Sequence, residues 1–174
     1  METYVKPPRT GMEAFEIMPE GTYCQLINDT IIMSPAPTTP HARVLSKIFN
    51  RFYEAVEQMQ AGEVFCAPVD VFLNRKNAYQ PDILFIAKDR REIIENKGIN
   101  GAPDVVIEIL STDRNYDLKK KKQVYEQSGV QEYWVVDPET KWCEGFVLEN
   151  NVYKSLGERN GQLTIRMFDL LISF

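Results

Sequence analysis

Three short apolar segments, 80-QPDILFI-86, 103-PDVVIEIL-110 and 133-YWVVD-137, decide how this chain folds. Each is rich in β-branched or aromatic residues and is bounded by Pro, Gly or Asp, which is typical of buried strands. Strands this apolar normally exclude charged residues. However, Asp82 lies near the start of the first segment, directly after Pro81, and Glu108 lies inside the second. A carboxylate in such a strand is costly unless it is paired or binds a cation. If the two strands are neighbours, both carboxylates meet at one point.

Such a pair of carboxylates is an oxygen-lined site for a hard cation. Mg²⁺ takes one or two carboxylates and keeps several waters, and Mn²⁺ has similar preferences. The main-chain carbonyl of Ile109 is a further candidate ligand beside Asp82 and Glu108. We therefore expect a Mg²⁺ or Mn²⁺ site, at which a metal-bound water and a phosphoryl oxygen are activated.

A lysine-rich helix is predicted from about residue 112 to residue 128. Asp117, Lys121 and Tyr125 recur every four residues, which places them on one helical face. If that face looks toward the strand ends, the Lys121 ammonium reaches a metal-bound water or a scissile phosphate. Asp117 then holds Lys121, and Tyr125 packs beneath it or donates a hydrogen bond.

Each of these residues also has a structural interpretation. Glu108 alone fits a pair with a lysine across the sheet. Asp82 and Asp104 both follow a proline and fit strand-entry residues that bond local backbone amides, which is the interpretation we favour for Asp104. Asp70 is either a turn residue or a partner of the site, and the sequence does not decide between them. His41 is the single histidine and follows a Pro-rich loop. We favour a helix-start role for it over a place at the edge of the site.

The run Lys119–Lys122 is interrupted by no other residue type. For its members other than Lys121 we favour a solvated helix face. No GxSxG, HExxH, P-loop or GxGxxG motif is present. With one histidine, a Ser-His-Asp or Cys-His mechanism has a single candidate base.

Composition narrows the class of protein. The chain has 174 residues, so one domain over residues 1–174 is expected, with residues 1–9 as a loose arm. The formal charge of −5 and the pI of about 5.0 argue against coating nucleic acid by bulk electrostatics. They do not exclude an enzyme that binds phosphate locally through a metal.

The lengths of the apolar runs and the pattern of cysteines indicate in which cellular compartment the protein is expected. No run approaches the roughly 20 residues that span a bilayer, and the first residues lack the apolar stretch of a signal peptide. We therefore expect a cytoplasmic protein that does not enter a membrane. The cysteines form no CxxC pattern, so Cys24, Cys66 and Cys143 are each expected to be small buried residues.

The rest of the chain alternates helices and strands. A short helix is predicted over residues 10–17, and a β-hairpin over 23–33. A long amphipathic helix is predicted from a Thr39 cap to Gly62. Further elements are predicted as a strand over 63–73, a short helix over 88–97, and closing strands over 142–148, 151–155 and 163–167. The expected fold class is α/β, with a mixed central sheet flanked by helices and extra β-hairpins at the ends.

The motif order resembles the Uma-type endonuclease family of the restriction-endonuclease-like PD-(D/E)XK superfamily. The resemblance rests on PD, then PD-x-x-x-E-x-L-S, then D-x-x-x-K-x-x-x-Y, then G-V-x-E-Y-W-x-V-D-P. It also includes 33-MSP-35 with His41, and 64-VFCAPVD-70. It therefore covers most of the chain.

The resemblance implies a restriction-endonuclease-like core with a Mg²⁺-dependent phosphodiesterase site. Asp82 then matches the first aspartate of the superfamily, and Glu108 matches the acidic residue of its (D/E)XK element. The superfamily lysine falls on Leu110, so Lys121 is implied to supply the ammonium from the helix. Relatives often carry a glutamate where this chain has Gln25, which makes Gln25 a further residue at the site edge.

The function expected from residues and resemblance together is metal-dependent cleavage of DNA. Superfamily members commonly dimerise, so a homodimer is expected, with Tyr133 and Trp134 as a candidate contact patch. The alternative is a non-catalytic nucleic-acid-binding or protein-interaction module on the same fold, which Leu110 and Gln25 favour. A hydrolase of small phosphoesters is a third interpretation.

Overall fold

The computed structural model describes residues 7–19, 21–111 and 116–174, and only the main chain for 116–118. Its helices are α1 (Gly11–Glu16), α2 (Thr39–Met59) and α3 (Lys122–Ser128), with 3-10 helices at Lys88–Ile93 and Arg166–Phe168 and a π-helical turn at Tyr116–Lys121. Its strands are β1 (Cys24–Ile27), β2 (Thr30–Met33), β3 (Gly62–Cys66), β4 (Val71–Asn74), β5 (Asn77–Tyr79), β6 (Ile83–Ala87), β7 (Ile94–Glu95), β8 (Gly98–Asn100), β9 (Val105–Ile109), β10 (Glu132–Val136), β11 (Trp142–Glu149), β12 (Val152–Asn160), β13 (Gln162–Ile165) and β14 (Leu170–Ser173).

The three apolar segments form the middle of one sheet. Its strand order is β12-β11-β10-β9-β6-β3. Strands β9 and β10 run parallel, whereas β6 is antiparallel to both β9 and β3. The central sheet is therefore mixed, as the sequence predicts. A second sheet has the order β2-β1-β5-β4-β8-β7, and β13 pairs with β14 as a separate ribbon.

Alternation along the central strands builds a core on each face of this sheet. On one face, Ile83, Phe85 and Ile107 pack against α2 and the β13–β14 ribbon. On the other face, Leu84 and Val106 pack with α3 and the second sheet. Because the side-chain period is two, Asp82 and Glu108 belong to this second face.

The long helix α2 covers the first face. Thr38 caps it by accepting the backbone N–H of His41, one residue earlier than the predicted cap. Its buried stripe consists of Val44, Ile48, Phe52 and Val56. This is the amphipathic face that the sequence predicts to lie on a sheet.

Two predicted elements are wrong. The single strand predicted over 63–73 is two strands in different sheets, β3 and β4. Pro68 lies between them, and proline has no N–H to donate to a strand ladder. The helix predicted over 88–97 becomes a 3-10 helix followed by the β7–β8 hairpin. Gly98 has a φ of +143°, which suits a turn rather than a helix.

The C-terminal part contains more strand than predicted. Strand β12 extends to Asn160, and β14 was not predicted. Tyr133 and Trp134 are buried in the central sheet, so they cannot form the expected contact patch. In the described part of the chain, no helix is long and apolar enough to cross a membrane. The predicted arm falls largely on residues 1–6, and the predicted helix start falls on 112–115, both outside the described residues.

Candidate active site

Asp82 lies at the entry of β6, beside the strand that carries Glu108. The pairing of Ile83 with Ile107 continues to Asp82 opposite Glu108, because β6 and β9 are antiparallel. The Asp82 carboxylate accepts a hydrogen bond from the Ile109 N–H through Oδ2, at 2.7 Å. The side chain thus joins β6 to β9 at the position where the sequence predicts a metal site.

Glu108 is 2% exposed, and among the described residues the side chains of Tyr125 and Lys121 bond its carboxylate. Its Oε1 accepts a hydrogen bond of 2.6 Å from the Tyr125 hydroxyl. Its Oε2 lies 2.9 Å from the Lys121 ammonium. A carboxylate is tolerated within this apolar strand because both of its oxygens are paired with donors.

The helical segment after β9 supplies both donors. Lys121 ends the π-helical turn and Tyr125 lies in α3, so the predicted spacing of four brings both to the same carboxylate. Lys121 is 6% exposed. Leu110 is buried in the apolar core of the same face. The ammonium therefore comes from the helix and not from position 110. The side chain of Asp117 lies outside the described residues.

His41 is a helix-start residue and also part of this cluster, so the favoured interpretation was incomplete. Its side chain is buried, and Nε2 lies 3.2 Å from both Asp82 oxygens. The sequence feature that could have indicated this contact is the Pro-rich loop before α2, after which the first turn of the helix lies beside Asp82.

The pKa shifts of His41 and Tyr125 agree with the contacts that these side chains make. Burial lowers the pKa of His41, but the hydrogen bond to Asp82, the charges of Asp82 and Glu108 and the Ile109 carbonyl raise it more. Burial, together with the Glu108 charge and hydrogen bond, raises the pKa of Tyr125 well above 10.0. Tyr125 is therefore a neutral hydrogen-bond donor, and the point between Asp82, Glu108 and Ile109 favours positive charge.

The donors present fit a hard divalent cation. Two carboxylates and the Ile109 carbonyl are oxygen ligands of the kind that Mg²⁺ and Mn²⁺ accept together with waters. Within the described ranges, no three or more His, Cys, Asp and Glu side chains are already grouped to hold a metal ion. A metal here would be held by Asp82, Glu108 and the carbonyl, with water completing its shell.

Gln25 and Asp70 make their hydrogen bonds away from this cluster. Gln25 Nε2 donates to Ser34 Oγ at 3.3 Å, and its buried Oε1 has no partner among the described residues. Asp70 Oδ1 accepts from Gln80 at 2.9 Å, and burial raises the pKa of Asp70. Asp70 is thus linked to the residue that precedes Pro81-Asp82.

The structural roles predicted for Asp104, for the lysine run and for the cysteines agree with the structure only in part. Asp104 accepts the Ala87 N–H and an Arg90 guanidinium N–H, both at 2.8 Å, as expected of a strand-entry residue. Lys119 and Lys120 are exposed. The Lys122 ammonium instead lies 3.5 Å from the centroid of the Phe146 ring, so the expectation of a fully solvated lysine there is wrong. Cys24 and Cys143 are buried, whereas Cys66 is only half-buried.

The mixed sheet with two carboxylates and a lysine at one point has the architecture of restriction-endonuclease-like proteins. A family model named Uma2 and described as "Putative restriction endonuclease" matches residues 12–171. The chain belongs to this family, which supports a nuclease, and with it a nucleic acid substrate.

One solved structure shares the fold over nearly the whole chain. It is described as a putative nuclease belonging to DUF820 from Anabaena variabilis ATCC 29413. The two chains superpose with a TM-score of 0.76 and 22% sequence identity, and 95% of each is covered. The restriction-endonuclease-like α/β fold class is thereby confirmed. No curated protein matches this chain.

Proposed function

We propose that this protein is a metal-dependent DNA endonuclease that hydrolyses phosphodiester bonds. The observation that carries the proposal is that half-buried Asp82 lies opposite Glu108 on the neighbouring strand, and that the buried carboxylate of Glu108 is paired with Lys121. Asp82 reaches β9 through Ile109, and Lys121 bonds Glu108 directly. The family assignment supports a nuclease as the class of enzyme.

Asp82, Glu108 and the Ile109 carbonyl would hold Mg²⁺ or Mn²⁺. Such an ion, when bound, would supply stabilisation of negative charge on phosphoryl oxygens and a lowered pKa of a bound water. The fixed positions of both carboxylates support this assignment, because Asp82 is held by a backbone N–H and Glu108 by Tyr125.

Lys121 is the proposed positioning cation for the nucleophilic water or the scissile phosphate. Its buried ammonium already lies at a carboxylate, so a phosphate that arrives there meets a preorganised positive charge. Tyr125 supports the same carboxylate, and Asp117 is proposed to support the helix face. As further parts of the proposal, the chain acts as one domain and pairs as a homodimer in the cytoplasm.

The test is plasmid nicking and linear-DNA cleavage with Mg²⁺ and then Mn²⁺. Wild type is run beside Asp82→Asn, Glu108→Gln and Lys121→Met, each checked for folding by circular dichroism. Tyr125→Phe is the matched control, because it removes one hydrogen bond from Glu108 but leaves every charge in place. We expect cleavage to fall at least about a hundredfold in the three charge variants and less in Tyr125→Phe.

The alternatives predict other outcomes. DNA binding without cleavage by the wild type in either metal would favour the nucleic-acid-binding module. Cleavage of a chromogenic phosphodiester that DNA does not inhibit would favour a hydrolase of small phosphoesters. Retained cleavage in Asp82→Asn or Glu108→Gln would place the active site elsewhere.

A further inference from the structure

The imidazole of His41 is aimed at the same groups that are proposed to hold the metal. Nε2 lies 3.2 Å from Oδ1 and 3.2 Å from Oδ2 of Asp82. The charge of Glu108 and the carbonyl of Ile109 act on the same ring. A nitrogen atom therefore lies beside Asp82, one of the proposed metal ligands, in a position that the superfamily motif residues do not account for.

The ring is held in this position by the fold. His41 belongs to the first turn of α2, where Thr38 accepts its backbone N–H. The residue is 8% exposed, and its Nδ1 is buried without a partner among the described residues. Among the described residues, Asp82 is therefore the side chain that His41 bonds through its ring, and it does so through Nε2.

We propose that His41 Nε2 is a ligand of the metal ion, beside Asp82, Glu108 and the Ile109 carbonyl. This inference rests on the proposed metal site. Neighbouring ligands of an octahedral ion, each about 2.1 Å from the metal, lie roughly 3 Å apart. The separation of 3.2 Å between Nε2 and each Asp82 oxygen suits such a pair with little movement.

An imidazole ligand changes the metal preference of the site. Carboxylate, carbonyl and water ligands suit Mg²⁺ and Mn²⁺ alike, whereas imidazole nitrogen favours transition metals. The site should thus prefer Mn²⁺ to Mg²⁺ because of His41, and not because of its carboxylates. The competing explanation is that His41 only orients Asp82 through a hydrogen bond.

The test uses the fact that His41 is the only histidine in the chain. Untagged protein labelled with ¹⁵N-histidine is loaded with Mn²⁺, and electron spin echo modulation reports nitrogen bound to the ion. We expect directly coordinated ¹⁴N in unlabelled protein, its replacement by ¹⁵N after labelling, and its loss in His41→Gln. Glutamine keeps a donor for Asp82 but has no imidazole lone pair.

Metal affinity provides the second measurement. His41→Gln should weaken Mn²⁺ binding about tenfold or more and Mg²⁺ binding much less, because imidazole nitrogen favours transition metals, whereas loss of an orienting hydrogen bond to Asp82 would weaken both alike. Mn²⁺ that binds in an Asp82-dependent manner without nitrogen coupling would overturn the His41 ligand and leave the proposed metal site standing. Absence of Mn²⁺ binding by the wild type would overturn both.

Discussion

The Lys121 ammonium lies 2.9 Å from Oε2 of Glu108, and both side chains are less than a tenth exposed. A buried ion pair of this kind contributes little net stability, because desolvation of both ions offsets their attraction. Its net contribution to the free energy of unfolding is therefore expected to be small. Removing one partner is different, since it leaves an uncompensated charge in the core.

Lys121→Met should accordingly destabilise the protein by about 3 kcal/mol or more, as breaking buried pairs commonly does. The double variant Lys121→Met with Glu108→Gln should be more stable than Lys121→Met alone, because it buries no unpaired charge. Urea unfolding of the wild type, both single variants and the double variant measures this coupling. Additive losses would mean that the two groups do not depend on each other in the fold.

Metal binding to Asp82 and Glu108 should raise the melting temperature. A ligand at one hundred times its Kd adds about 2.7 kcal/mol, which corresponds to roughly 5–10 °C for a chain of this size. Asp82→Asn should abolish the shift, whereas Glu158→Gln on β12 should retain it. Differential scanning calorimetry with Mg²⁺ and Mn²⁺ provides the measurement, and an equal shift in Asp82→Asn would refute the site.

The sequence predicted the centre of this fold because strand period alone places Asp82 and Glu108 on one face. The spacing of Lys121 and Tyr125 predicted that both lie on one helical face, but it did not predict that both donate to Glu108. The sequence-based prediction was wrong at β3–β4 and β7–β8. There the chain turns at Pro68 and Gly98, and pairing between strands outweighs the local sequence pattern. The contact between His41 and Asp82 joins residues 41 positions apart, and no local periodicity encodes such a contact.

Glu132 is a buried carboxylate that sequence reasoning did not single out, and we expect it to make the free energy of unfolding depend on pH. It accepts hydrogen bonds from the Trp134 indole and the Arg166 and Met167 N–H groups, which ties β10 to the C-terminal 3-10 helix. Burial raises its pKa above 4.5, and the hydrogen bonds oppose that shift.

The folded state therefore holds this proton more tightly than the unfolded chain. Stability from protonated Glu132 is present below pH 4.5 and is lost as pH rises through the folded-state pKa. Relative to Glu132→Gln, the wild type should lose unfolding free energy as the pH rises above 4.5 and through the folded-state pKa. Urea unfolding of both proteins at several pH values tests the sign of this effect. An unfolding free energy of the wild type that rises with pH relative to that of Glu132→Gln would contradict it.

Lys119 and Lys120 are exposed beside the buried Lys121, so a DNA backbone that brings a phosphate to the site should pass close to both. Each phosphate contact contributes about 0.9 to the slope of log affinity against log salt. Replacing both lysines by glutamine should therefore reduce that slope by about two. Fluorescence anisotropy with a short duplex, in Ca²⁺ to limit cleavage, measures it between about 50 and 200 mM salt.

The matched control for this salt dependence is Lys154→Gln with Arg159→Gln on β12, which removes the same charge from the far edge strand of the central sheet. If the two lysines contact phosphates, the control should leave the slope nearly unchanged, because counterion release counts local contacts. If the two pairs lower affinity equally with no change in slope, the lysines act only through net charge. In a chain with a formal charge of −5, that result would leave Lys121 and the metal site as the remaining attraction for DNA.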